Sequence, residues 1–384
     1  MNQDQIPLRP AWVEVNLRAI EHNTRRLIEI VGRDVELMAV VKANAYGHGA
    51  VEASRAALRG GATWLGVYSV GEGIELRRAG IDARILVLGP TPPRWARAGV
   101  EHDLALTIFS MDAARAISDA AREANRLARV HLKVDTGMTR LGVAPDAALD
   151  FARAVRDLPR VEIEGICTHF SAADEPDARG IKNWGREHTL GQLARLRAVI
   201  DALERAGIRA RYHHCANSPA TLEFPKARLN MVRCGILIYG LDPSDDVPRP
   251  PGFVPALTFK TEIAAVRDVP AGTYVGYSAA FRAARASRIA VLMVGYADGF
   301  RKKPKHYGEV LVRGKRAPIV GQVCMDQTMI DVTEIEDARV GDEVVLIGKQ
   351  GAEEIRAEDV GRILGTNNYE TVATISARLE RRYV

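Results

Sequence analysis

Cysteine is scarce in this chain of 384 residues. The four that occur, Cys167, Cys215, Cys234 and Cys324, lie far apart, with no CxxC pair and no metal-ligand spacing. Reduced thiols are expected, with no disulfide framework and no bound metal. No run of about 18 apolar residues occurs either, which argues against a membrane-spanning helix. The opening residues, MNQDQIPLRPAW, lack a basic head followed by an apolar stretch, so the expected compartment is the cytoplasm. Aromatic residues are only 6% of the chain, and no basic stripe or basic aromatic platform is present. The 53 Lys and Arg residues are mixed from end to end with 48 Asp and Glu, so nucleic acid is not the expected partner. A small anionic substrate fits that mild positive balance.

What the chain does have is apolar content, 47%, enough for two cores, and its length calls for two domains. In the first part, short apolar runs alternate with amphipathic helical stretches, the pattern of βαβ units and a parallel sheet. The runs are Leu37 to Val41, Trp64 to Val67, Ile85 to Leu88, Leu104 to Ile108, Val130 to Val134, Ile163 to Thr168, Tyr212 to Cys215 and Met231 to Cys234. Helical candidates include Leu17 to Val31, Gly71 to Ala79, Met111 to Leu127, Pro145 to Leu158 and Leu190 to Ala206. Eight such units predict an α/β fold, a (β/α)8 TIM-type barrel over residues 1–245. The stretch Asp242 to Gly252, rich in proline and acid, reads as a linker. Strand-like segments then run from Leu257 to Ile347, predicting a mostly β C-terminal domain over 253–384. A helical pair, Arg356 to Leu364 and Asn368 to Glu380, is expected to close that domain, and Trp12 to Val15 to add a strand to it.

The chemistry starts at Lys42, which follows the first apolar run and opens the segment VKANAYGHG. Desolvation by that strand favours the neutral amine, the form a Schiff base with an aldehyde cofactor requires. A barrel carries its active site where its strands end. Lys133 and Asp135 end the fifth run with Arg140 just beyond, His169 follows the sixth, and Asn217 and Ser218 follow the seventh. Arg233 lies within the eighth. Any one of these reads equally well as a satisfied polar residue at a strand end, but their convergence on one rim marks a pocket. Asn217-Ser218-Pro219 places an N-cap hydroxyl and a proline at a helix start. Gly235 lets the backbone approach closely, and with Ile236 it offers amide donors suited to a phosphate. An ordinary helix cap and turn is the alternative there.

The segments VKANAYGHG, GVYSVGEGIELRRAGI, ILVLG, HLKVDTGMTRLGV, GICTHFSAAD, NSPA, MVRCGILIYGLDP, TYVGYSAAF, GYADGF, GQVCMDQTMID and NNYETV resemble the alanine racemase family, in that family's order and over nearly the whole chain. The resemblance implies an isomerase that uses pyridoxal 5'-phosphate to interconvert L-alanine and D-alanine, supplying D-alanine for peptidoglycan. Lys42 would hold the cofactor as an internal aldimine and act as the base facing the D-enantiomer. Tyr277, in the C-terminal domain, would be the base facing the L-enantiomer, and nearby positive charge would have to favour its phenolate. In the family this tyrosine comes from a second subunit, so a homodimer is implied. Two bases on opposite faces account for racemisation, because one removes the α-proton and the other returns a proton from the far side.

The same resemblance sets Arg233 against the pyridine nitrogen of the cofactor, with His169 orienting it. An arginine donates there without readily protonating the ring, which weakens the electron sink and restrains transamination. Arg140 would meet the cofactor's phenolic oxygen and the substrate carboxylate, which the amide of Met325 would also hold. Tyr46 and Tyr369 would line the phosphate, and Tyr369 and Tyr296 would narrow the entrance to a methyl-sized side chain. Lys133 matches a position that carries a carbamate in several members, an anion able to orient Arg140. His48 receives no role. A broad-specificity or serine racemase on the same scaffold is the nearest alternative. A decarboxylase has no need of Tyr277, and a cofactor carrier has no need of the C-terminal domain.

Overall fold

The computed structural model describes residues 9–303 and 305–384. Its contacts group into two compact units, one of residues 18–45 and 50–254, the other of residues 9–17, 46–49 and 255–384. Strand β1 (Ala11–Val15) belongs to the second unit.

The first unit is a closed barrel of parallel strands: β2 (Glu36–Val40), β3 (Trp64–Val67), β4 (Arg84–Val87), β5 (Ala105–Ile108), β6 (Ala128–Lys133), β7 (Val161–Cys167), β8 (Tyr212–His214) and β9 (Met231–Cys234). β9 pairs with β2 to complete the ring. Helices between the strands bury one face each. The helix Leu17–Val31 buries Ala19, Ile20, Asn23, Thr24, Leu27 and Val31, positions three or four apart along one stripe. The helix Val70–Arg78 begins with a capping box, in which Ser69 accepts from the Glu72 amide and Glu72 accepts from the Ser69 amide. Inside the ring, Met38, Trp64, Leu86, Ala105, Tyr212 and Met231 pack together.

The second unit is mostly β, with β10 (Leu257–Val269), β11 (Tyr274–Val275), β12 (Phe281–Arg282), β13 (Ser287–Leu292), β14 (Glu309–Val312), β15 (Lys315–Val320), β16 (Thr328–Asp331), β17 (Glu343–Gln350), β18 (Glu353–Ile355) and β19 (Glu380–Tyr383). Its main sheet runs β18-β17-β14-β15-β16-β13-β10-β1-β19, and a further pairing of β17 with β10 joins six of these strands into a ring. β1 lies antiparallel to β10 and parallel to β19. β11 and β12 form a separate hairpin.

One expectation is corrected here. The helix that begins at Asn368 ends at Ala373, and the residues from Glu380 are strand β19. Val372, Ile375 and Leu379 are buried at a near-helical spacing, which imitates a longer helix. The carbonyls of Ile375, Ser376 and Leu379 instead accept from the Arg381 guanidinium, at 2.9, 2.6 and 2.9 Å, so one side chain satisfies what a helix ladder would have used.

Candidate active site

Lys42 stands two residues past the end of β2, at the head of a left-handed turn. Ala43, Asn44, Ala45 and Tyr46 all have positive φ, at 53°, 52°, 53° and 55°. For residues with a Cβ this conformation costs roughly 1–2 kcal/mol each, so the turn persists only where its surroundings hold it. They do. The Ala43 amide donates to Glu72 Oε1 at 2.9 Å, so the residue that caps one helix also anchors the turn. Asn44 Oδ1 accepts from the Ala50 amide at 2.8 Å, and His48 Nδ1 contacts the Tyr46 carbonyl at 3.1 Å. Burial first, and then the Arg140 charge, hold the Lys42 amine below the usual lysine range.

The other barrel residues cluster at the ends of later strands. Lys133 is the last residue of β6, where burial together with the charges of Arg233 and Arg140 pushes its amine down to about 8. Asp135 Oδ1 accepts the amides of Gly137, Met138 and Thr139, each at 3.0 Å, and so shapes the loop that carries the exposed Arg140. Burial resists ionisation of Asp135, but those three amides outweigh it and keep the carboxyl below its ordinary range.

Arg233, in β9, is buried, and its guanidinium donates to His214 Nδ1 at 2.8 Å, the Thr168 carbonyl at 2.9 Å, His169 Nδ1 at 3.2 Å and the Cys215 carbonyl at 3.2 Å. No carboxylate pairs with it directly among the described residues. Burial, then the Arg233 charge, drive His169 and His214 well below the usual imidazole range, so both accept as neutral rings.

After β8 the helix cap differs from the sequence expectation. Asn217, not a hydroxyl, is the N-cap, accepting from the Ala220 amide at 3.2 Å. The Ser218 hydroxyl is free of that duty and accepts instead from the Gly235 amide at 3.1 Å, which brings Ser218, Gly235 and the adjoining Ile236 together.

In the second unit, Tyr46 and Tyr369 face each other with ring centroids 6.1 Å apart. Tyr296 opens a short helical turn, and the amides of Tyr296 and Ala297 donate to the carbonyls of Cys324 and Met325 at 3.0 and 3.1 Å, so Tyr296 and Met325 sit on neighbouring backbone. That corner is clamped by Arg9 and Arg378, each of which bridges the buried Asp298 and the half-exposed Asp326. Tyr277 lies on the turn between β11 and β12, and is 68% exposed in the single chain.

Sequence reasoning missed Glu72, His131, Glu164 and His214. Ser69-x-x-Glu72 carried a readable signal as a capping box, but its second task did not. The other three act across strands, where sequence spacing is silent.

Comparison with known proteins covers nearly the whole chain. The family described as alanine racemase, N-terminal domain, matches residues 15–243, and that described as alanine racemase, C-terminal domain, matches 256–383. An alanine racemase of Symbiobacterium thermophilum is 45% identical, over 98% of this chain and 97% of its own length. One of Halothermothrix orenii is 43% identical, over 98% and 97%. The crystal structure of the Bacillus anthracis alanine racemase with bound L-Ala-P superposes with a TM-score of 0.91 at 38% identity, covering 99% of this chain and 96% of that one. Family match, full-length identity and shared fold agree: the chain belongs to the alanine racemase family.

Proposed function

We propose that this chain interconverts L-alanine and D-alanine with Lys42 and Tyr277 as opposed bases, as a homodimer in which each subunit lends its tyrosine to the other's lysine. The observation that carries the reading is the pairing, in one barrel, of a lysine amine biased toward neutrality with a buried guanidinium whose hydrogen-bond partners are all uncharged. A buried cation without a carboxylate is costly, and such a group is kept where it serves a ligand.

That donor set fits pyridoxal 5'-phosphate, the cofactor of this family. Lys42 would hold its aldehyde carbon, Arg233 its ring nitrogen, and Ser218, Gly235, Ile236 and Tyr46 its phosphate, with Asn217 fixing the turn and Tyr369 beside Tyr46. When bound, the cofactor supplies the electron sink that makes the α-proton of alanine acidic. Arg233 would limit that sink, because a guanidinium donates to a ring nitrogen without readily giving up a proton. His169 orients Arg233. Arg140 and the Met325 amide hold the substrate carboxylate, and Tyr296 restricts the side chain. Lys42 Nζ then takes or returns the proton on one face of the α-carbon, and Tyr277 Oη on the other. The exposure of Tyr277 in the single chain supports its donation to a partner subunit.

Lys133 is a carbamylation site in this reading. At about 8, a useful fraction of its amine is neutral near pH 7.5. Its nitrogen adds to carbon dioxide, one proton leaves, and the resulting anion pairs with Arg140. Spectra recorded under 13C-labelled carbon dioxide are expected to show a carbamate signal that Lys133→Met removes.

The reading as a whole is tested with purified enzyme and L-alanine in heavy water. D-alanine carrying α-deuterium, absent in Lys42→Ala, is expected. Bound cofactor with neither exchange nor D-alanine would overturn it, and the same assay with serine would then identify the alternative substrate.

A further inference from the structure

Arg233 has no carboxylate beside it, yet a carboxylate lies at the end of a chain of rings that starts on it. His214 Nδ1 accepts from Arg233 Nη1 at 2.8 Å. An arginine only donates, so His214 carries its proton on Nε2. That nitrogen is 2.8 Å from His131 Nδ1, which must therefore accept, leaving the His131 proton on Nε2. His131 Nε2 in turn faces Glu164 Oε2 at 3.5 Å, beyond a formed hydrogen bond, so the carboxylate bears on that proton through its charge. Every proton in the series points away from Arg233 and toward Glu164.

The seat is built for this. Between β6 and β7 the register slips, with Val130 opposite Ile163 but His131 opposite Gly165, so Glu164 is the extra residue of a β-bulge. Bulges re-aim side chains, and here Glu164 is 97% buried, its relative exposure being 3%. A Cβ on Gly165 would come within 2.3 Å of His131 Nδ1, so glycine is what leaves room for the ring. Arg84 donates to Glu164 Oε1, and its guanidinium carbon lies 5.2 Å from the Trp64 ring and 5.7 Å from the Tyr212 ring. Trp64 also meets His131 edge-on at 5.4 Å. Burial keeps both imidazoles below their ordinary range, so the series holds neutral rings between one cation and one anion.

We propose that His131 and Glu164 are positioning residues for Arg233, fixing through His214 the one-way order of protons that presents the guanidinium to the cofactor's ring nitrogen. The order is all-or-none. A proton on His131 Nδ1 would oppose the one on His214 Nε2, and moving that one to His214 Nδ1 would set it against Arg233. The proposal rests on the reading above that Arg233 faces the ring.

The experiment uses holoenzyme labelled with 15N-histidine, with solid-state spectra assigning the protonated nitrogen of each ring, alongside the share of turnovers that release pyruvate and leave the cofactor in its amine form. In the wild type, His131 and His214 are expected as neutral rings protonated on Nε2. Glu164→Leu removes the terminal carboxylate and is expected to give mixed ring protonation and a rise of about fivefold in the pyruvate share, the order of factor one close charge contact carries. Glu164→Gln keeps the shape but loses the charge and turns an NH2 toward either Arg84 or His131, so it is expected to share the defect. His131→Phe provides a second break should Glu164→Leu fold poorly. Wild-type ring protonation at His214 in both broken variants overturns the proposal. So does an unchanged pyruvate share in those variants when Arg233→Lys raises it. If Arg233→Lys leaves the share unchanged, the ring contact of Arg233 fails on its own, and the spectra still decide the proton order.

Discussion

Lys133 illustrates how a single side chain links stability to pH. Its amine is pushed down to about 8 in the fold and returns to the usual lysine range on unfolding. Between those values the unfolded chain binds the extra proton, so stability rises with pH across that interval, and below about pH 8 the full cost of the buried charge applies. In buffer freed of carbon dioxide, Lys133→Met is expected to stabilise the apoprotein at pH 7 by about 1–3 kcal/mol. The advantage should shrink steadily from pH 8 to 10.5, as read from chemical unfolding midpoints. A constant difference across that range would mean the lysine is not desolvated. Cys215 and Cys234 obey the same physics with the opposite sign, burial raising their thiols to about 12 and about 11. All four cysteines are free in the structure.

At the scale of elements, the barrel strands were legible because each is a short apolar run between helical stretches, and Trp64–Val67 and Met231–Cys234 match residue for residue. What periodicity could not show was a polar side chain with two partners in distant sequence. His131 sits in HLK as the polar step of a strand, and nothing local says that the strand is bulged opposite it. The turn after Lys42 was likewise illegible, since four consecutive residues with Cβ atoms in the left-handed region contradict their own preferences. The contradiction makes a prediction. Ala43→Gly should raise stability by about 1 kcal/mol, because glycine adopts that conformation without penalty. Glu72→Ala should lower it by about 1–3 kcal/mol, through loss of both the helix cap and the anchor of the Ala43 amide. Chemical unfolding measures both, and equal midpoints for Ala43→Gly and wild type would show that the turn carries no strain.

The whole molecule is where the two bases must be reconciled. Lys42 and Tyr277 belong to different compact units, and if a partner subunit lends the tyrosine, two inactive variants can repair each other. Mixing Lys42→Ala with Tyr277→Phe after subunit exchange should form heterodimers in half the population, each with one intact site of two. Activity should then return to about a quarter of the wild-type value for the same total protein. No recovery, with exchange verified by mass, would mean that each chain builds its site alone. The ratio of activities, rather than any size measurement, tests the sharing itself.

The short stretch at 46–49 has a consequence for recombining this protein with its relatives. Although it follows Lys42 directly in sequence, it packs with the C-terminal unit, where a Cβ on Gly47 would fall 2.4 Å from the Val372 carbonyl and Arg381 Nε donates to the Gly47 carbonyl at 3.1 Å. A hybrid made by a single crossover in the linker would therefore join a barrel from one parent to a β unit fitted to the other parent's Tyr46-Gly47-His48-Gly49. A viable hybrid needs three grafts that travel together, residues 9–17, 46–49 and 255–384, so the lysine motif descends as two inheritances joined at one peptide bond.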